Sequence, residues 1–485
     1  MFLALDQGTT SSRALVFDRD GTVRGTGQRE FAQHFPAPGL VEHDPLEIVH
    51  SQVAAVDAAL AAAGQPAITA VGITNQRETT VVFERRTGRP IHRAIVWQDR
   101  RTAATLQALA AAGHAERVRE RTGLSLDPYF SAAKIAWILD HVAGARAAAE
   151  RGELCAGTID TWLLHSLTGG AVCATDASNA SRTSLFDLRT GGWDDELCRL
   201  FAVPRACLPE VRDSAGDFGV WRERGLPFRA VLGDQQAALF AHGCLAPGDA
   251  KCTYGTGAFV LQNAGAVPPR PAPGVLATVA WRLFGATTYA HEGSVLVCGA
   301  AVQWLRDQLG IVRSAAELEP LARSVPDSGD VVFVPAFAGL GTPHWDPSAR
   351  GLVIGLSRGS SRAHLARATV EAMALQVDDV LAAMRPPGAA PVALRVDGGA
   401  AANGLLLEVQ AALLGAPVVR PALLEATAFG AFRMCLVGSG VVGDPAQAPA
   451  LPGTPLVVHG TLPAPAVARL RARWRTAVER ARGWA

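Results

Sequence analysis

The residues best placed to do chemistry stand at the start of the chain. Asp6-Gln7-Gly8-Thr9-Thr10-Ser11-Ser12-Arg13 joins two short apolar runs, 2–5 and 14–17. A Gly/Thr/Ser turn between two strands aims backbone N–H groups and hydroxyls at anionic oxygens, which makes a phosphate grip. Asp6 stands where a carboxylate can hold Mg2+, and Arg13 adds a fixed cation. The same octapeptide also reads as an ordinary hairpin with polar turn residues. A second turn of this kind, Tyr254-Gly255-Thr256-Gly257, lies near mid-chain. Further on, 394–396 leads into Asp397-Gly398-Gly399-Ala400 with a helix expected from about Asn403, a setting for anion or nucleotide contact. Gly233-Asp234-Gln235-Gln236 places a carboxylate at a strand end, where it serves either as a helix N-cap or as a general base.

These residues need elements to position them. Strands are expected at 2–6, 13–18 and 22–31, then a helix at 45–63 opened by Asp44-Pro45. A strand at 67–73 delivers the polar cluster Thr74-Asn75-Gln76-Arg77-Glu78, and 79–83 and 94–97 are expected to continue the sheet. Residues 102–150 read as mainly helical. A strand at 230–232 ends in Gly233-Asp234, with a helix starting at 237. The echo between the turns at 8–10 and 255–257 suggests two related halves meeting at a cleft, with the boundary near 243 and domains of 1–242 and 243–485. The stretch 267–274 is a proline-rich surface loop, and 465–484 an Arg-rich helix whose six arginines (469, 471, 473, 475, 480, 482) are expected to form a solvated face.

Composition narrows the class. At 485 residues the chain is too long for one core. Its apolar fraction of 49% and charged fraction of 18% fit a soluble globular protein, and a net charge of +1 leaves no footprint for nucleic acid or an anionic membrane. The only lysines are Lys134 and Lys251, and neither lies in a GxxxxGK sequence, which excludes a Walker-type site. The Ala-rich stretch 53–63 is broken by Asp57 and shorter than a bilayer span, and the N-terminus lacks the basic and apolar regions of a signal peptide. Eight scattered cysteines without CxxC spacing are expected to be buried free thiols in a reducing cytosol rather than disulfides or a zinc site.

Taken in order, the motifs resemble the FGGY carbohydrate kinases over nearly the whole chain, and most closely the members that act on glycerol. Residues 6–13, 74–80, 97–102 and 233–236 are similar to that subfamily, while 129–141 and the stretch from 351–356 to 369–371 are similar to the wider family's signatures. The resemblance implies an α/β architecture of two actin-like, ribonuclease-H-like ATPase domains. Each would be a mixed central sheet flanked by helices, and ATP and an alcohol would meet in the interdomain cleft. Members of the family close that cleft by rotating the domains together, which expels water.

The same resemblance implies ATP- and Mg2+-dependent, in-line phosphorylation of glycerol to sn-glycerol 3-phosphate. Asp6 would anchor Mg2+, with Asp234 as the second acidic residue at the metal. Thr9, Thr10, Ser11 and Arg13 would contact the β- and γ-phosphates, and Gly255 and Thr256 would hold them from the second domain. Gly299, Gln303, Gly399 and Asn403 would line the nucleotide pocket. Asp234 would be the general base. Arg77, Glu78, Tyr129 and Gln235, with Asp234, would hold the hydroxyls, while Trp97 and Phe259 form an apolar wall. Taken alone, Arg77–Glu78 reads as a surface ion pair and the aromatics as core; the neighbouring motifs assign them to the pocket. Other readings are a kinase for another small polyol or ketose, or a nucleotide-switch ATPase of the actin or chaperone type. The resemblance also implies a cytoplasmic homodimer or homotetramer with no nucleic-acid partner and no membrane insertion.

The chain departs from the family in places. Residues 217–227 are shorter than the corresponding stretch of many bacterial members and lack its Gly-Gly-Lys-Gly loop, so strong inhibition by fructose 1,6-bisphosphate is not expected. No histidine lies between 210 and 233, which removes the phosphorylated His of other members. His344 stands where Tyr is common, without a functional reading.

Overall fold

The computed structural model describes residues 1–484 apart from 271 and 387. The first half begins with strands β1 (Phe2–Gln7), β2 (Ser11–Phe17) and β3 (Val23–Glu30), then helix α1 (Pro45–Ala62), strand β4 (Ala70–Asn75), strand β5 (Leu226–Gly233) and helix α2 (Asp234–Ala241). Asp44 caps α1, its side chain accepting from the Leu46 N–H, as the Asp-Pro pair predicts. All six residues of β1 and of β4 are buried, which suits the middle of a sheet covered on both faces. The strand order is Val220–Trp221, β5, β4, β1, β2, β3. β1, β4 and β5 run parallel, whereas β2 and β3 run antiparallel.

The second half contains β6 (Ala250–Tyr254), β7 (Ala258–Gly265), β8 (Leu276–Leu283), β9 (Ala286–Val295), α3 (Gly299–Asp307), α4 (Arg362–Met384), β10 (Leu394–Asp397), α5 (Gly404–Leu414), β11 (Val418–Arg420), α6 (Ala426–Gly438), β12 (Leu456–Val458) and α7 (Ala464–Ala481). Its seven strands lie in the order β8, β9, β7, β6, β10, β11, β12. The inner five repeat the first sheet. β6 pairs antiparallel with β7, which pairs antiparallel with β9; on the other side β10 and β11 continue parallel. The turns at 8–10 and 255–257 therefore hold the same place in two matching sheets.

Two features tie the halves together. Helix α6 returns to cover the first sheet. Its Phe432 stacks on Phe17 at 4.7 Å and meets Phe2 edge-on at 6.0 Å. Its Gly430 lies so close to α2 that a Cβ there would stand 1.9 Å from the Ala237 carbonyl oxygen. On the opposite side, residues 123–215 dock on β8 and β9. The Ala277 N–H donates to the Gly123 carbonyl at 2.9 Å, Ser181 and Thr278 share a hydroxyl bond at 2.8 Å, and the Tyr289 hydroxyl donates to the Leu188 carbonyl at 2.8 Å.

Several expectations are corrected. Residues 80–84 and 94–95 do not continue the first sheet. They form a separate four-stranded sheet with Glu42–His43 and Leu154–Thr158, because the chain turns away after Asn75 through Glu78, whose φ is +60°. Helix α2 starts at Asp234, three residues before the expected point. Cys155 and Cys173 are paired as a disulfide, while the other six cysteines are buried and free. In α7, Trp474, Ala477, Val478 and Ala481 are buried; Arg471 grips the Asp378 carboxylate at 2.7 and 2.8 Å, Arg473 ion-pairs with Asp330 and Arg482 with Asp346. That helix docks through one face, while Arg469, Arg475, Arg480 and Arg482 are exposed as expected and Arg471 and Arg473 are partly covered. The loop at 267–274 runs outside regular structure as expected, with Pro271 outside the described residues. Among the described residues no helix is long and apolar enough to cross a membrane.

Candidate functional site

Matching strand ends in the two sheets bring the sequence-predicted residues together. After β1 the chain turns at 8–10, closed by the Gly8 N–H to the Ser11 carbonyl at 3.0 Å. Gln76 braces this turn, its amide donating to Gln7 Oε1 at 3.0 Å and to the Gly8 carbonyl at 3.1 Å. Thr9 accepts from the indole N–H of Trp97 at 2.9 Å, Thr10 is exposed, and Ser11 is buried with its hydroxyl accepting from Gln28 at 3.0 Å. Arg13 lies half-buried at the edge of the turn, 2.8 Å from Glu425, the residue that opens α6. The buried Asp6 carboxylate has no side-chain hydrogen bond or ion pair among the described residues. Burial raises its pKa to about 7; Arg13 opposes the shift, and Glu425 and Asp234 add to it.

Beyond β4 stands a buried quartet of charges. Arg77 holds Glu292 in a two-pronged pair at 2.6 and 3.0 Å. Arg182 donates to Glu78 at 2.6 Å and to Glu292 at 2.9 Å. Arg77 also reaches Gln236 at 3.2 Å and the Tyr129 hydroxyl at 3.4 Å. Glu292 belongs to β9, so the quartet closes across the two halves. Two guanidiniums facing two carboxylates, each hydrogen-bonded, meet the conditions under which buried charge is tolerated. Burial raises the Glu78 pKa, whereas Arg182 and Arg77 overcome burial at Glu292 and lower its pKa.

Asp234 sits beside this quartet at the end of β5. Its Oδ1 accepts from the Gln235 N–H at 2.7 Å and lies 3.2 Å from Arg77 Nε. Gly233 is required here, because a Cβ would stand 2.7 Å from Arg77 Cδ. The Asp234 side chain is 29% exposed, unlike its Arg77 partner at 2%. Burial raises its pKa and Arg77 opposes the rise. A carboxylate held in place, open to a ligand and raised in proton affinity is suited to accept a proton. Three half-buried aromatics stand nearby. Trp97 meets Tyr129 at 5.6 Å and Phe259 at 6.3 Å, both edge-on, and Phe259 comes from β7 of the second half. Gln235 is buried and is held by Lys251 of β6.

The second half carries a cavity of about 570 Å³. All six residues expected on this side line it: Gly255, Thr256, Gly299, Gln303, Gly399 and Asn403. The first turn of α3 rests on the loop, Gly299 N–H donating to the Gly255 carbonyl at 3.0 Å. Sequence reasoning missed Arg306 and Glu319 in the cavity wall, as it missed Arg182, Glu292 and Lys251 beside Asp234. Arg306 stands three residues after Gln303 on α3, so helical i, i+3 spacing was a signal for it; no spacing rule links the others, and for Lys251 the visible signal was that lysine occurs only twice. The N-terminus of α5 is not a free anion site. Asn403 caps it, and Glu319 accepts from the Gly404 and Leu405 N–H groups at 2.8 and 3.2 Å, so its donors are already satisfied.

The comparisons with known proteins agree with this layout. Residues 1–241 match the N-terminal domain, and residues 250–439 the C-terminal domain, of the FGGY family of carbohydrate kinases. The chain is 56% identical over 490 residues to a glycerol kinase of Trichlorobacter lovleyi, covering 100% of this chain and 99% of that one. It is 55% identical over 493 residues to a glycerol kinase of Thermus brockianus, covering 99% and 98%. The crystal structure of Plasmodium falciparum glycerol kinase with ADP superposes with a TM-score of 0.91 at 28% identity, over 99% of this chain and 98% of that one. A gluconate kinase from Lactobacillus acidophilus shares the fold, with a TM-score of 0.87 at 19% identity over 99% and 96%.

Proposed function

This chain belongs to the FGGY family of carbohydrate kinases, and from that premise we propose that its cleft transfers the γ-phosphoryl group of ATP to the 3-hydroxyl of glycerol, giving sn-glycerol 3-phosphate and ADP. One observation carries the reading. The partly open Asp234 carboxylate is held by Arg77, which belongs to the buried charge quartet and also reaches Tyr129 of the aromatic group, at a strand end beside the glycine turns. Trp97, Tyr129 and Phe259 cover the carbons of a three-carbon triol. Arg77, Glu78, Tyr129, Asp234 and Gln235 meet its hydroxyls, donors and acceptors in fixed positions.

In the transfer step the glycerol oxygen bonds to the γ-phosphorus as the bond from that phosphorus to the β–γ bridging oxygen breaks. The hydroxyl proton goes to Asp234 and ADP leaves with the bridging electron pair. Burial raises the proton affinity of Asp234 and strengthens it as a base, while Arg77 opposes the rise. Thr9, Thr10, Ser11 and Arg13 contact the β- and γ-phosphates from the first half, Gly255 and Thr256 from the second. Gly299, Gln303, Gly399 and Asn403 receive the nucleoside. Bound Mg2+ would neutralise charge on the phosphate oxygens. Asp6 would hold it, since a buried carboxylate without a hydrogen-bonding partner fits a cation, with Asp234 as the neighbouring carboxylate.

The compartment in this reading is the cytoplasm and the state a homodimer or homotetramer, which sedimentation would check. The deciding experiment is ADP release from MgATP with and without glycerol, then with a panel of small polyols and ketoses. Strong glycerol-dependent turnover is expected. Turnover with another polyol alone would move the specificity argument to Arg77, Glu78, Trp97 and Phe259. ADP release indifferent to every polyol would leave a nucleotide-switch ATPase.

A further inference from the structure

Of the 45 basic residues in the chain only two are lysines, and both are fully buried beside the site. Lys134 donates to the backbone carbonyl of Tyr129 at 2.6 Å. Lys251 donates to the side-chain oxygen of Gln235 and to the Thr253 hydroxyl, the latter at 2.9 Å. An ammonium is a compact point charge with three donors; a guanidinium is larger and planar.

Lys251 joins two halves of the chemistry. Its strand β6 runs directly into Gly255-Thr256, and its partner Gln235 follows Asp234 on the first turn of α2. The far end of α2 is tied in the same way. His242 lies 2.7 Å from Asp397, the last residue of β10 before Gly398-Gly399. The helix that starts with Asp234 is thus held at both ends to strands that finish in the glycine turns of the other half. The charges acting on Lys251 are Asp397 and Asp234, which favour the ammonium, and Arg77, which opposes it. Burial is the largest influence on Lys251 and lowers its pKa.

We infer that Lys251 is a positioning residue for phosphoryl transfer: it fixes Gln235, and with it the turn bearing Asp234, against the strand end that holds the phosphates. The inference rests on the reading of Asp234 as the base and of 255–256 as a phosphate turn. Misplacement of reacting groups by about 1 Å can cost on the order of 10²-fold in rate. Loss of this tie therefore acts on kcat and on coupling to the acceptor, and leaves the nucleotide cavity intact.

The test is Lys251→Met in the full chain, with kcat, both KM values, ADP affinity, and ADP release without glycerol measured beside wild type. We expect kcat to fall about tenfold or more. ADP affinity should stay within about twofold, and the share of ADP released without glycerol should rise. The double variant Lys251→Met/Gln235→Leu should be no slower than Gln235→Leu alone, since both remove one tie. Unchanged kcat and coupling together with a lower Tm would show that Lys251 is only structural and would overturn the inference. If Lys251→Met does not fold, Gln235→Leu alone breaks the same tie; unchanged kcat and coupling there would equally overturn it. Wild-type glycerol turnover and Asp234→Asn are run alongside. Failure of either control refutes the reaction or the base, and is thus distinct from a failure of Lys251.

Discussion

Replacing Asp234 by Asn separates chemistry from architecture. The amide keeps an oxygen for the Gln235 N–H at 2.7 Å and for Arg77 Nε at 3.2 Å, so the turn has no reason to move. What is lost is proton acceptance. A positioned base contributes about 10²–10⁴-fold, or roughly 2.7–5.5 kcal/mol of barrier. Stability moves the other way. Burial raises the Asp234 pKa in the fold, so the folded state binds the proton more tightly than the unfolded chain. Stability from this group is therefore present at low pH and is lost as pH rises through the folded pKa. Above the folded pKa the ionised carboxylate weakens the fold, and Asn removes that burden. The expected result is kcat down by about 10²-fold or more, nearly normal ADP binding, and a Tm equal to or above wild type. Turnover within about threefold of wild type would refute the base assignment. A loss of kcat accompanied by a matching loss of Tm and ADP affinity would refute the separation argued here.

Arg77→Ala leaves Glu78 and Glu292 with Arg182 alone, and breaking such a buried pair costs about 3–5 kcal/mol. Its KM for glycerol should rise more than its KM for ATP, and an unchanged glycerol KM would move Arg77 out of the pocket. Fructose 1,6-bisphosphate added to the activity assay should leave turnover unchanged, because 222–225 make only a short turn between Val220–Trp221 and β5; potent inhibition would remove this expectation. His43 is buried against Gln33 and Phe31, and burial lowers its pKa to about 4. Stability tied to it is present above the unfolded value of 6.5 and is lost as pH falls toward 4, on the order of 3 kcal/mol in all. Denaturation of wild type and His43→Gln across that range should show the wild type losing ground relative to the variant; a pH-independent difference would refute the assignment.

The sequence was most legible where function depends on local backbone. The turns at 8–10 and 255–257, the Asp44-Pro45 helix start and the Gly233-Asp234 strand end all carry their signal within a few residues, and each lies where it was expected. Pairings between distant residues were not legible. Nothing near Arg77 announces Glu292 or Arg182, because that contact is created by docking 123–215 on β8 and β9. The separate sheet around 80–84 was missed because a single left-handed residue, Glu78, turns the chain out of the first sheet, and a glutamate carries no signal for that backbone. Cys155 and Cys173 meet by the same logic of fold over spacing. The cavity of the second half was partly legible: Gly255, Thr256, Gly299, Gln303, Gly399 and Asn403 were expected there, Arg306 lay unread one helical step beyond Gln303 on α3, and Glu319 arrives from a helix that no motif marks.

The return of α6 to the first sheet has a consequence for how the chain is made. The apolar face formed by Phe2, Phe17, Ala230 and Leu232 is covered by Phe429 and Phe432, which lie close to two hundred residues later in the chain than α2. Synthesis proceeds at about 5–20 residues per second, so roughly ten to forty seconds separate the emergence of that sheet from that of its cover. During this interval the nascent first half presents Phe2 and Phe17 without the two rings that pack on them in the finished fold. The sequence boundary near 243 is thus a boundary of recognition, not of folding: a ribosome stalled before residue 426 holds an unfinished sheet, and the cell must shield it until the last third of the message has been read.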